Sequence, residues 1–146
     1  MPTAYFLDTN ILVHLVRRDR TGEYLLKKYS LYLAEPRPMI SDVTEGELRS
    51  LAIQWQWGAR KVSQMNFALS YFWRISINTS DVFQAYAAID SFSETQGISM
   101  GKNDVWIAAS AHVAEAHLLT TDRDFSHLQP KFLTFDWLDP ANTPNI

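Results

Sequence analysis

The chain has 146 residues, 47% hydrophobic and 20% charged, which suits one domain with a real core and excludes a disordered or membrane-embedded protein. A net charge of −3 argues against a surface coated in positive charge, although a local cluster of acids can mask basic residues elsewhere. There is no cysteine, so disulfides, zinc–thiolate sites and a cysteine nucleophile are excluded together. With no basic leader and no uninterrupted apolar run of about 18 residues, the chain is expected to be cytoplasmic and to span no membrane.

Residues 5–7, Tyr-Phe-Leu, form an apolar run that stops at Asp8 and reads as a buried strand with an acid at its C-terminal tip. Ile11, Leu12, Leu15 and Val16 then follow the stripe of a helix packed on a sheet. Asp19 to Gly22 reads as a turn and residues 23–34 as a second helix, ended by Pro36 and Pro38. Met39-Ile40 is a short strand, and Ser41 caps a helix running to about Trp55. Past Gly58, residues 59–73 form a further helix, with a short strand at Ile75 to Ile77.

Ser80 is expected to cap a helix that runs through about Thr95 and is closed by Gly97. Residues 104–116 are apolar almost all round, as in a helix buried between layers. Leu118 to Thr121 is a strand ending on a second acid, Asp122, and Phe132 to Phe135 is the last strand. No repeat or linker interrupts residues 1–146, and the alternation of short strands with longer helices predicts one α/β domain with a mainly parallel sheet.

Four acids stand out from this frame. Asp8 ends a buried strand, where a charge costs stability unless something pairs with it; helix capping is the competing explanation. Glu45 and Glu47 lie roughly 200° apart on their helix. Glu47 shares a face with Thr44, Leu48 and Leu51 and points inward, whereas Glu45 aligns with Arg49 as a solvated ion pair. Asp104 opens the most hydrophobic helix, a position the helix dipole alone would favour, but its buried neighbours hold it at the lip of the sheet. Asp122 repeats the placement of Asp8, with Asp124 read as a cap or a partner for Arg123. Asn10 and Thr121 are placed to orient these acids.

Two carboxylates about 4 Å apart repel by roughly 4 kcal/mol at an effective dielectric of about 20, so a cluster of four implies a neutralising cation. An all-oxygen site suits Mg²⁺ or Mn²⁺; the four histidines, at 14, 112, 117 and 127, fall in no ligand spacing and argue against zinc. Such ions support in-line displacement at phosphorus, so the acids point to metal-dependent phosphoester hydrolysis. Seven of the 13 Lys and Arg precede residue 50, consistent with a positive rim or with solvated helix faces. Arg49, Lys102 and Arg123 are the candidate phosphate contacts.

The blocks LDTN at 7–10, SDVTEGELRS at 41–50, GKNDVWIAASA at 101–111 and TTDRDF at 120–125 resemble the signature blocks of the PIN-domain ribonucleases, and most of all VapC-type toxins of toxin–antitoxin pairs. The blocks occur in the family's order, although Glu45 stands where those toxins usually carry an apolar or small residue. The resemblance implies a three-layer α/β/α fold around a five-stranded parallel sheet, with Asp8, Glu47, Asp104 and Asp122 as catalytic and metal-binding residues. It further implies Mg²⁺ or Mn²⁺, an RNA substrate, a homodimer and a cognate antitoxin. Two other readings start from the same acids. One is phosphoryl transfer through an aspartyl-phosphate at Asp8, which the Asn at position 10 weakens, since such enzymes use a paired Asp there. The other is a non-catalytic module that binds RNA or a protein through an acidic dock.

Overall fold

The computed structural model describes residues 2–144. Five strands, β1 (Tyr5–Leu7), β2 (Met39–Ser41), β3 (Trp73–Ile75), β4 (His117–Thr120) and β5 (Thr134–Trp137), form one sheet in the order β3-β2-β1-β4-β5. Every pairing is parallel. Six α-helices accompany them: α1 (Thr9–Arg17), α2 (Arg20–Tyr29), α3 (Asp42–Gln54), α4 (Ala59–Tyr71), α5 (Ser80–Thr95) and α6 (Lys102–Val113).

The alternation of side chains along β1 divides the core into two layers. Leu7, with Ile40 and Leu119, packs beneath Ile11 and Leu15 of α1, Leu25 of α2, Leu48 of α3 and Leu69 of α4. Phe6, with Met39 and Leu118, faces the other way into Val82 and Ile89 of α5 and Val105 and Ile107 of α6. Each of these side chains is almost wholly removed from water and contributes about 1.5–3 kcal/mol. The result is a three-layer α/β/α fold around a five-stranded parallel sheet.

The chain runs outward from β1 through β2 to β3, then returns to lay β4 and β5 on the other side of β1. The sheet order therefore reverses between β1 and β4, and in open α/β sheets the crevice beyond the carboxyl ends at such a point collects ligands. Asp8 and Thr120 stand there: Asp8 N–H donates to Leu119 O at 3.0 Å, carrying the sheet one residue past β1.

Several expected boundaries move. Asp19 to Gly22 is the start of α2 rather than a free turn: Asp19 is the N-cap, and its Oδ1 accepts from Gly22 N at 2.9 Å. A Cβ at Gly22 would run into the His14 carbonyl, so glycine is what lets α2 leave the end of α1 so closely. α2 ends at Tyr29, and Ser30 takes the left-handed conformation with φ 50°. β3 begins at Trp73 instead of Ile75 because Met39 of β2 sets its register. α5 is capped by Thr79, whose hydroxyl accepts from Val82 N at 3.2 Å, one residue before the expected Ser80. β5 starts at Thr134, opposite His117, while Leu133 is buried in the core ahead of the strand.

Candidate active site

Asp8 is 3% exposed, a charge-bearing group almost wholly inside the protein. Its position follows from β1, whose three residues fix where the chain leaves the sheet, and from α1, which Asp8 caps through a 2.7 Å bond from Thr9 N to Oδ1. The second oxygen, Oδ2, accepts from Thr120 Oγ1 at 2.7 Å and from Asn10 Nδ2 at 3.1 Å. The capping explanation and the site explanation are thus both true of Asp8, one for each oxygen.

Glu47 reaches the same place from α3. Its Oε1 accepts from Thr9 Oγ1 at 2.6 Å and its Oε2 from Asn103 Nδ2 at 3.1 Å, while Thr9 Oγ1 also lies 3.1 Å from the buried Thr44 Oγ1. Thr44 and Leu48 are buried on this face, as the helical phase requires. Glu45 lies on another face, accepting from Arg49 Nε at 2.7 Å and lying 2.8 Å from Arg74 Nη1.

Asp104, in the first turn of α6, and Asp122, just past β4, complete the group. Carboxylate oxygens of Asp104, Asp122 and Asp124 lie within 4.8 Å of one another. Asp124 therefore belongs to the acid cluster as well as to the turn: its N–H donates to Asp122 Oδ1 at 2.9 Å, and that short 3₁₀ turn, Arg123–Leu128, swings its side chain back toward α6. The sequence marked Asp124 only as a cap or a partner for Arg123. The T-x-D-x-D spacing was the available signal, since two residues apart in a turn can return a side chain to the same side.

Burial and mutual repulsion show in the protonation of these groups. The Asp8 carboxyl is pushed from 3.8 up to about 6, chiefly by burial, with Glu47 and Asp122 adding to the rise and the Thr120 and Thr9 bonds opposing it. Asp104 goes up to about 7, again by burial first and then by the charges of Asp8, Asp122, Glu47 and Asp124. Asp124 is raised mainly by Asp122. A positive charge placed among these carboxyls would favour their ionised forms. Oxygen donors from four separate elements suit a hard divalent cation in charge and chemistry.

Asp8, Glu47, Asp104 and Asp122 line one open cleft of about 680 Å³, together with Asn10 and Asn103. The other expected contacts are placed differently. Thr121 presents its backbone, with its N–H donating to Asn10 Oδ1 at 3.2 Å. Arg49 bonds Glu45 and Asn66 and does not line the cleft. Lys102 pairs with Asp90 at 3.3 Å beside a separate hollow. Arg123 stacks over Trp137, its guanidinium carbon 3.8 Å from the ring centroid. The cleft wall instead carries His14, Arg17 and Trp55. Arg17 lies at i+7 from Asn10 and i+3 from His14, so the helical phase of α1 was the signal for it.

A profile of the PIN domain family matches residues 5–130, which takes in every acid of the cluster. The chain belongs to the PIN domain family. This is a family of nucleases. Among curated proteins no sequence matches this chain. Among solved structures, it is similar to VapBC2 from Rickettsia felis bound to a DNA fragment from its promoter, with a TM-score of 0.77 and 22% identity over 94% of this chain and 100% of that one. It is also similar to VapBC-1 from nontypeable Haemophilus influenzae, with a TM-score of 0.75 and 23% identity over 92% and 98% of the two chains. VapBC-5 from Mycobacterium tuberculosis, of a toxin–antitoxin family, gives 0.70 and 19% over 94% and 100%. At these identities the likeness establishes the PIN fold of the VapC structures across nearly the whole chain. Among the described residues, no helix is long and apolar enough to cross a membrane.

Proposed function

We propose that this PIN domain is a Mg²⁺- or Mn²⁺-dependent ribonuclease and the toxin of a toxin–antitoxin pair. The observation that carries the reading is the convergence of Asp8, Glu47, Asp104 and Asp122 on one cleft at the reversal point of the sheet. A divalent ion bound there would supply Lewis-acid assistance to hydrolysis of a phosphodiester. The protein's part is to hold the acids in place. Thr9 ties α1 to α3 through Glu47, and Thr120 and Asn10 fix the Asp8 carboxylate. Asn103 orients the other Glu47 oxygen. Asp8 is pushed up to about 6 and Asp104 to about 7, so below about pH 7 a cation would compete with protons for these carboxylates.

Burial and three hydrogen-bond donors make Asp8 a poor nucleophile, which disfavours an aspartyl-phosphate. The antitoxin half of the reading is supported by the VapBC structures that share the fold, and the acidic cleft suits a segment bearing a positive charge. A homodimer belongs to the same reading; Ile53, Phe67 and Trp73, exposed at 79%, 56% and 64%, offer apolar surface for it. The experiment is incubation of the purified chain with single-stranded RNA, with chelator and then with Mn²⁺ or Mg²⁺. Cleavage that appears only with the metal and is lost in Asp8→Asn supports the proposal. Cleavage in chelator, or full activity in the variant, rejects it.

A further inference from the structure

The cleft does not end at the acids. It continues along α1 and the last turn of α3 to Trp55, which caps α3 and is 43% exposed. The guanidinium of Arg17 lies over that indole, 4.4 Å from the ring centroid. Among the described residues lining the cleft, Arg17 is the single Lys or Arg. His14, the other basic group on the wall, is held by Asp19 at 2.7 Å and is turned to the start of α2.

This gives the cleft two poles of opposite character. One is a group of carboxylates that a phosphate approaches only when a cation is present; the other is a cation lying on an aromatic face. Nine residues of α1 separate Asp8 from Arg17, about 13 Å along the helix axis. The second pole is therefore too far away to touch the bond being cleaved and close enough to hold a neighbouring nucleotide of the same strand. An exposed indole with an arginine beside it is the chemistry that single-stranded nucleic acid selects: bases stack on aromatic rings and guanidinium planes whatever their identity, and the cation meets the phosphate. The cation–π contact in the free protein is weak enough at an exposed site for a base to replace it.

We propose that Trp55 and Arg17 form a flanking subsite that takes one unpaired base of the RNA substrate, Trp55 by stacking and Arg17 by pairing with its phosphate. The proposal rests on the ribonuclease reading and deepens it: the substrate must be single-stranded over the cleft, because a base in a duplex has no free face to offer. Trp55 and Arg17 would bind the substrate directly, remote from the reacting phosphate.

The test is steady-state cleavage of a fluorescently labelled single-stranded RNA decamer with Mn²⁺, compared among the unaltered chain, Trp55→Ala, Trp55→Phe and Arg17→Ala. Helical circular dichroism and Mn²⁺ affinity are measured on each protein as controls for folding and for the acid site. Trp55→Ala should raise KM by roughly 5- to 100-fold with kcat little changed, as loss of one stacked base predicts, and Trp55→Phe should restore most of it. Arg17→Ala should raise KM and lower the salt dependence of binding by about one phosphate contact. A decamer with one abasic position should be cleaved less well by the unaltered chain, while the same lesion makes no difference to Trp55→Ala. If the unaltered chain cleaves the decamer and Trp55→Ala does so with the same KM, the subsite is refuted and the ribonuclease reading stands. If the unaltered chain cleaves no RNA at all, both fall together.

Discussion

The acid cluster has an inner and an outer part, and they are built differently. Asp8 and Glu47 are fixed by donors from β4, α1 and α6: Thr120, Asn10 and Thr9 hold the first, and Thr9 and Asn103 the second. Asp104, Asp122 and Asp124 lie nearer the surface, half-buried or exposed, with their oxygens within 4.8 Å of one another. At that separation unit charges repel by roughly 3–4 kcal/mol at an effective dielectric of about 20. The inner pair is preorganised by hydrogen bonds, while the outer group is held together against repulsion. A cation bound there would take its geometry from the first and further electrostatic attraction from the second.

Removing the inner pair should have the largest effect. Asp8→Asn or Glu47→Gln should reduce metal-dependent cleavage by more than about 100-fold, the upper end of what orienting partners alone cost. Cleavage assays with folding checked by circular dichroism decide this; equal losses from outer variants would erase the distinction.

The next effect is on stability without metal. Asp8 and Asp104 hold protons more tightly when folded, with values of about 6 and 7 against 3.8 unfolded. Between those values the native state binds more protons than the unfolded one, so stability falls as pH rises from about 4 to 7. For Asp8 alone the change is about 3 kcal/mol, from a shift of about two units at roughly 1.4 kcal/mol each. Denaturant unfolding in chelator at pH 4.5 and 7.5 should show the loss, and saturating Mn²⁺ should reverse it at the higher pH. Stability that rises over this range would contradict the site's electrostatics.

Thr120→Val sharpens the comparison at the level of support. The hydroxyl donates to Asp8 Oδ2 and accepts from Asp122 N at 2.9 Å, so it belongs to both parts of the cluster. Its loss should cost about 10- to 100-fold in metal affinity or activity and move the pH–rate profile to higher pH, since the bond lowers the Asp8 value. A loss of activity with an unmoved profile would mean a packing role only. Asp124→Asn should have the smallest effect, less than about 10-fold in activity, because an exposed acid adds charge more than geometry. It should also stabilise the metal-free chain slightly by relieving its repulsion with Asp122.

Much of this was legible in the sequence, for a local reason. Strand tips show where an acid must emerge, and a helix's phase separates Glu47 from Glu45 because buried Thr44 and Leu48 mark the inner face. The order of alternating elements suffices for a parallel sheet. What the sequence hides depends on partners far along the chain. β3 is an edge strand with Trp73 and Arg74 exposed, so its start is set by pairing with Met39 and Ile40 rather than by an apolar pattern of its own. Leu133 looks like a strand residue but packs into the core before β5 begins. Asn103 meets Glu47 only when α3 and α6 come together, and Trp55 meets Arg17 only when α3 comes beside α1. Arg49, prominent in its sequence block, spends its guanidinium on Glu45 and Asn66.

The most direct measurement is a calorimetric titration of Mn²⁺ into the metal-free protein at pH 6.5, repeated in buffers of different ionisation enthalpy. The account predicts saturable binding with release of protons from the cluster, lost in Asp8→Asn and only weakened in Asp124→Asn. No binding at millimolar Mn²⁺, or equal binding by the Asp8→Asn variant, would contradict it.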